Sequence, residues 1–226
     1  MMHCIFVVFF IGHATGTFDY SGRATLNDVK AFFNTPEKLL LLRRSYSRLI
    51  EKFDPICIYS RKTTVTDTHI ALIEQFDYGD RSSKLHCTAY RVYMEMSKKK
   101  GMDVAPLLKA AKVDVPWCPF TAVEASSGTT TYKQGYKNGR NYTFEYYDST
   151  DKCAVITFSD KECEIKCELH VWENYTDSKM TNCVREYEYL CRHRTKYTPY
   201  ESNICTWDKS RYDTPSVFIP YLPTGK

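Results

Sequence analysis

The sequence predicts a mainly β fold: an antiparallel meander closed into a barrel, with short helices ahead of it and one helix laid on its outer wall. Three observations carry this. Strand-like runs recur at short intervals from Ile56 to Trp172, and an Asn138-Gly139 pair stands between two alternating segments. The cysteines Cys153, Cys167, Cys183 and Cys191 fall on two strands and a helix that can be stapled together, as suits a small barrel.

The compartment decides how the cysteines are read. Residues 4–11 (CIFVVFFI) are an apolar run too short to span a bilayer, followed by the small residues Ala14-Thr15-Gly16. This reads as a secretory signal peptide, residues 1–16, cleaved after Gly16. A barrel domain over 17–212 follows, then a tail over 213–226 whose three prolines lay it on the surface. No later stretch is long and apolar enough for a membrane helix, so a secreted, extracellular, soluble monomer is expected. Cleavage removes Cys4 and leaves nine of the ten cysteines, most of which should pair in an oxidising compartment, with one thiol left over. The net charge of +4 is modest, and Arg43-Arg44 and Lys98-Lys99-Lys100 are short runs rather than a stripe. A nucleic-acid partner is therefore not expected.

Taken in order, residues 25–33 (TLNDVKAFF) and 37–46 (EKLLLLRRSY) read as short helices separated by Pro36, with Thr35 able to cap the second. Strands follow in ICIYSRKT, THIALIEQF and KLHCTAYRVYMEM, then an exposed tip at 98–101. Residues 102–112 (MDVAPLLKAAK) read as a short helix broken by Pro106. Asn138-Gly139 supplies the positive φ angles of a two-residue turn between TTTYKQGYK and RNYTFEYYD. Two more strands cover 153–158 and 163–172, and 181–193 (TNCVREYEYLCRH) reads as a helix.

Strand alternation assigns faces. Cys153 and Val155 point one way and Ala154, Ile156 and Phe158 the other; Cys163, Ile165, Cys167, Leu169 and Val171 share a face opposite Glu168 and His170. The helix carries Cys183, Tyr187, Leu190 and Cys191 on one side, so it can lie on the wall and pair Cys153 with Cys183 and Cys167 with Cys191. Ala154, Ile156, Phe158, Glu168 and His170 then face the interior, where a small ligand could sit. The same parity turns Tyr132, Gln134, Tyr142, Phe144 and Tyr146 inward, where their rings could stack on a cation, pack a lipid chain or simply fill the barrel.

With these residues in view, the chain resembles the tick salivary lipocalins of the histamine-binding type. The matching features are Arg44-Ser45-Tyr46 ahead of Asp54-Pro55-Ile56-Cys57, the Asn-Gly hairpin, Asp151-Lys152-Cys153, Cys167-Glu168-Leu169, the helix at Cys183 and the late Cys205. The resemblance implies eight antiparallel strands, a Cys57–Cys205 pair beside Cys153–Cys183, and sequestration of a small host mediator. The family's amine pattern places an Asp after its first cysteine and an aromatic after Glu-Leu. Here Ala154 and His170 stand at those positions, while Glu168 is kept. Loss of one partner of a buried charge pair costs about 3–5 kcal/mol, so this part of an amine site is weakened. For the family's second amine pocket, Tyr46 and Glu95 fit the tyrosine and the acid; Gln134 stands where the family has a further Tyr, and Phe144 where it has an Asp.

Catalysis is not expected. His69, His86, His170 and His193 sit in no hydrolase or metalloprotease motif, and Cys163, Cys167 and His170 divide between strand faces, so neither a metal nor another cofactor is expected. Cys87 with Cys118 is a possible further pair, with Cys163 as the free thiol. Asn141 and Asn174 begin glycosylation sequons. The expected ligand is a biogenic amine of the histamine class, with a fatty-acid-derived mediator such as a leukotriene as the alternative, or a packed barrel that inhibits a host protein through its surface. The ligand-facing set is Tyr46, Glu95, Tyr132, Gln134, Phe144, Ile156, Phe158, Glu168 and His170. An open cavity with converging carboxylates would favour amines, an open apolar one lipids, and a filled one surface binding.

Overall fold

The computed structural model describes residues 23–79, 85–114, 139–159, 164–191, 194–200 and 202–205. The signal peptide, the tail, Tyr132, Gln134, Asn138, Cys118, Cys163 and His193 lie outside them, and so do the expectations attached to those residues.

Helix α1 (Leu26–Phe33) opens the described chain, and eight strands follow: β1 (Leu39–Arg44), β2 (Cys57–Val65), β3 (His69–Tyr78), β4 (His86–Ser97), β5 (Leu107–Asp114), β6 (Arg140–Asp148), β7 (Cys153–Ser159) and β8 (Ile165–Trp172). Each pairs antiparallel with the next, and β8 pairs back onto β1, which closes the barrel and leaves no free sheet edge. Helices α2 (Thr181–Cys191) and α3 (Ser202–Cys205) complete the order.

Helix α1 begins with a capping box: the Asp28 backbone N–H donates to the Thr25 hydroxyl, and the Thr25 backbone N–H donates to Asp28. The helix plugs one end of the barrel. Val29, Phe32 and Phe33 are buried against Leu39, Phe144 and Ala154, with Phe144 centred 5.8 Å from Phe32 and 6.2 Å from Phe33. Thr25→Ala should lower stability by about 1 kcal/mol, because the Asp28 backbone N–H, an orphan donor of the first turn, loses its acceptor. Urea unfolding checks this, and an unchanged midpoint would show that the first turn contributes nothing.

Two expected helices are strands. Residues 39–42 are four leucines in a row, a pattern that burial on both faces demands of either a helix or a strand. In the fold Leu39 and Leu41 face inward while Leu40 and Leu42 lie under α2. The 102–112 segment likewise becomes β5, whose Leu107–Asp114 pairs with β4 over its whole length, so tertiary pairing overrides the helical propensity of Leu, Ala and Lys. Gly139 also departs from expectation. It has no positive φ angle; it is needed because a Cβ there would stand 2.8 Å from the Ala110 carbonyl oxygen.

The outer wall is stapled. Cys153–Cys183 and Cys167–Cys191 tie α2 to β7 and β8, with Tyr187 fully buried between them. Cys57–Cys205 ties α3 to β2, and Cys87 is also disulfide-bonded. Strands β1 and β2 pair only at Leu39–Ser60 and Leu40–Tyr59. Farther along, Arg44 and Tyr197 exchange two 2.9 Å backbone hydrogen bonds and Cys57 bridges to Tyr200, so the 194–200 segment fills the gap where these strands diverge. Arg44, 1% exposed, is held there by a 2.9 Å ion pair to Asp54, with the ring centres of Tyr46 and Tyr197 5.6 and 5.8 Å away.

Candidate functional site

The interior divides into a filled base and an open mouth. The base holds Leu39, Leu72, Val92, Met94, Leu108 and Ile156, and the free space among them is about 50 Å³, room for a few waters. The mouth holds a cavity of about 680 Å³, within the usual range for small-molecule sites. It is lined by Tyr46 and Arg48 from the β1–β2 connection, Lys112 from β5, Arg140 and Tyr142 from β6, Phe158 from β7 and Lys166 from β8.

Between the two levels lie the inward carboxylates, and each already has a partner. Glu168 and His170 are two residues apart on β8 and share the inner face. His170 Nε2 stands 2.9 Å from one Glu168 carboxylate oxygen, and the Tyr46 hydroxyl donates to the other. The two β8 side chains are 13% and 15% exposed. Burial alone would raise the Glu168 pKa, but the hydrogen bond and charge of His170, the Tyr46 hydroxyl and the charge of Lys112 outweigh it and hold it at about 2. Burial and the adjacent Glu168 charge push the Tyr46 phenol well above its ordinary range, so it remains a donor. On the opposite wall, Glu74 of β3 is in contact with the Lys112 ammonium.

Aromatic faces back the cations around the mouth. Arg48 lies 4.4 Å from the Phe76 ring centre and 5.7 Å from that of Tyr90; Arg140 lies 4.5 Å from that of Phe158. Tyr46 and Tyr142 pack edge-on against Phe158 at 5.1 and 5.2 Å. A cavity walled by rings and rimmed with guanidinium and ammonium groups attracts an anion and accommodates an apolar or planar body.

Of the residues expected to face a ligand, Tyr46, Phe158, Glu168 and His170 come together at or just below the mouth, and Ile156 lies in the base. Three expectations are corrected. Glu95 is exposed on the outer face of β4, because Met94 and Met96 on either side of it take the inward positions. Phe144 faces inward but is sealed under α1, away from the mouth. Tyr146 turns outward among the residues beneath α2, because a bulge between Phe144 and Tyr146 reverses the parity and sends Tyr147 toward α1 instead. Asn141 and Asn174 are exposed. Arg48, Lys112, Arg140 and Glu74 were missed. Alternation along a strand at 107–114 would have placed Lys112 inward beside Leu108 and Ala110, whereas nothing local marks Arg48, which reaches the cavity from a loop. Among the described residues no cluster suited to a metal ion is present, and no helix is long and apolar enough to cross a membrane.

Residues 122–206 match the family model described as tick histamine binding protein. Among solved structures, Japanin from Rhipicephalus appendiculatus bound to cholesterol matches with a TM-score of 0.48 and 14% identity, over 76% of this chain and 97% of that one. No curated protein sequence matches. Over residues 122–206 the chain is thus similar to the tick histamine binding proteins, the family its cysteine framework resembles.

Proposed function

We propose that this barrel, a relative of the tick histamine-binding lipocalins, is a secreted binding protein that sequesters a small anionic mediator with an apolar body, of the fatty-acid-derived class. The observation that carries this is the charge arrangement of the interior: Arg48, Lys112, Arg140 and Lys166 line the open mouth, whereas Glu168 and Glu74 below are each engaged by side chains of the chain itself, Glu168 by His170 and Tyr46 and Glu74 by Lys112. An acidic head would meet the guanidinium groups, and the body would lie against Tyr142 and Phe158. Binding at 1:1 lowers the free mediator concentration without turnover, so affinity and abundance take the place of catalysis. Secretion is supported by the apolar run at 4–11 and by the disulfides on the outer wall.

The biogenic-amine reading is favoured by one feature, the ionised Glu168 beneath the mouth. An incoming ammonium would have to displace His170 and Tyr46 from it, and the free space beside it is about 50 Å³. Isothermal titration of the oxidised mature protein with a leukotriene, histamine and serotonin separates the readings. Saturable leukotriene binding that weakens with added salt is expected, with Arg140→Gln costing about tenfold in affinity. Histamine binding abolished by Glu168→Ala would overturn the anion reading in favour of the amine.

A further inference from the structure

The two arginines of the mouth differ from its lysines in one respect. Lys112 is paired with Glu74, and Lys166 has an interaction of its own, but neither Arg48 nor Arg140 has a carboxylate in ion-pair range among the described residues. Both are nonetheless positioned, each by an aromatic ring behind it: Phe76 for Arg48, Phe158 for Arg140. A guanidinium stacked on a ring keeps its N–H groups in the plane of the stack, where they can meet a carboxylate or phosphate in bidentate fashion.

Their placement is two-sided. Phe76 is on β3 and Phe158 on β7, four strands apart in a closed barrel of eight and therefore on facing walls. Between those walls lie the small side chain of Ala110 and the ring of Tyr142. A ligand with one acidic group set against one wall leaves the guanidinium backed by the facing wall for a second such group.

Building on the anion reading above, we propose that the mouth is a two-point site for a ligand carrying two separated acidic groups on an apolar body, with one group on Arg48 and the other on Arg140. The two arginines then set both the charge and the length of the ligand accepted. Lys112 and Lys166 add to the attracting field, while Tyr142 and Phe158 contact the span between the acidic ends.

Titration of the oxidised mature protein with straight-chain α,ω-alkanedioates, alkanoates of equal length and alkyl phosphates tests this. The dioates are expected to pass through an affinity maximum at one chain length and there to exceed the matched alkanoate by about ten- to a hundredfold. Arg48→Gln and Arg140→Gln should each reduce the best dioate to the level of its alkanoate, and Arg48→Lys and Arg140→Lys should retain part of the advantage. Dioates and alkanoates binding alike at every length would sink the two-point site while leaving the anion reading intact. So would an alkyl phosphate, with its charge at one end, matching the best dioate. Binding of none of the three would overturn both readings.

Discussion

Replacing Cys57 and Cys205 together by serine is expected to lower the stability of the oxidised protein by about 5 kcal/mol, on the loop-entropy estimate for this bridge. The bond joins residues 148 apart and closes nearly the whole described barrel into one loop, whereas Cys153–Cys183 and Cys167–Cys191 span only 30 and 24. Because the entropy of closure grows with the logarithm of loop length, the shortcuts made by bridges within this loop reduce the figure only slightly. By the same reasoning, loss of Cys153–Cys183 alone should cost about 3–4 kcal/mol. The native state contributes in the same direction. Cys205 clasps the chain just after the 194–200 segment, which stands between β1 and β2 and packs Tyr197 against the Arg44 guanidinium. Releasing that clasp loosens the seam beside the mouth as well as freeing the unfolded chain. Urea unfolding of the variant should show a lower midpoint, and exchange protection of the Arg44 and Tyr197 amides should fall first. A loss below about 1 kcal/mol would mean that the segment is held by its hydrogen bonds and packing rather than by the bridge.

How much of this was legible in the sequence depended on whether each element announced its two faces. Strands β7 and β8 did: Cys153 and Val155 alternate with Ala154 and Ile156, and Cys167, Leu169 and Val171 alternate with Glu168 and His170, so faces and staples followed together. Strand β1 did not, because a barrel strand covered outside by a helix is apolar on both faces and Leu39 to Leu42 lose the period that separates strand from helix. Strand β5 was hidden by propensity, and with it Lys112. The site suffered most from two features that no local pattern encodes. One is the bulge in β6 that turns Tyr146 out; the other is the reach of Arg48 from a loop into a wall made by β3 and β4. The expectation of Glu95 as the amine-binding acid failed on parity alone, whereas Glu74, one strand away and inward, is the acid that the fold brings to the interior.

Glu168→Gln is expected to destabilise the protein by about 3 kcal/mol near pH 5, just above the titration range of this carboxyl, and the loss should vanish in acid. The carboxyl is buried, which by itself would raise its pKa. The hydrogen bond and charge of His170, the Tyr46 hydroxyl and the charge of Lys112 reverse this and hold it at about 2, against an ordinary value of 4.5. A depressed folded-state pKa means that the unfolded chain takes up the proton first as pH falls. The stabilisation is therefore fully present above about 4.5 and is lost progressively as pH drops toward 2. Urea titrations of both proteins across this range should show a gap that is present at about pH 4.5 and closes toward pH 2; a gap that does not change between these limits would show that the glutamine merely disturbs packing. Tyr46→Phe separates the contributions, since it removes one donor to Glu168 and leaves the His170 contact in place. The same interaction bears on ligand choice. A carboxylate bound this firmly to its own histidine and tyrosine contributes to an amine only what remains after both are displaced. Among the described residues neither Arg48 nor Arg140 has a carboxylate in ion-pair range, which is the difference on which the proposed anion reading rests.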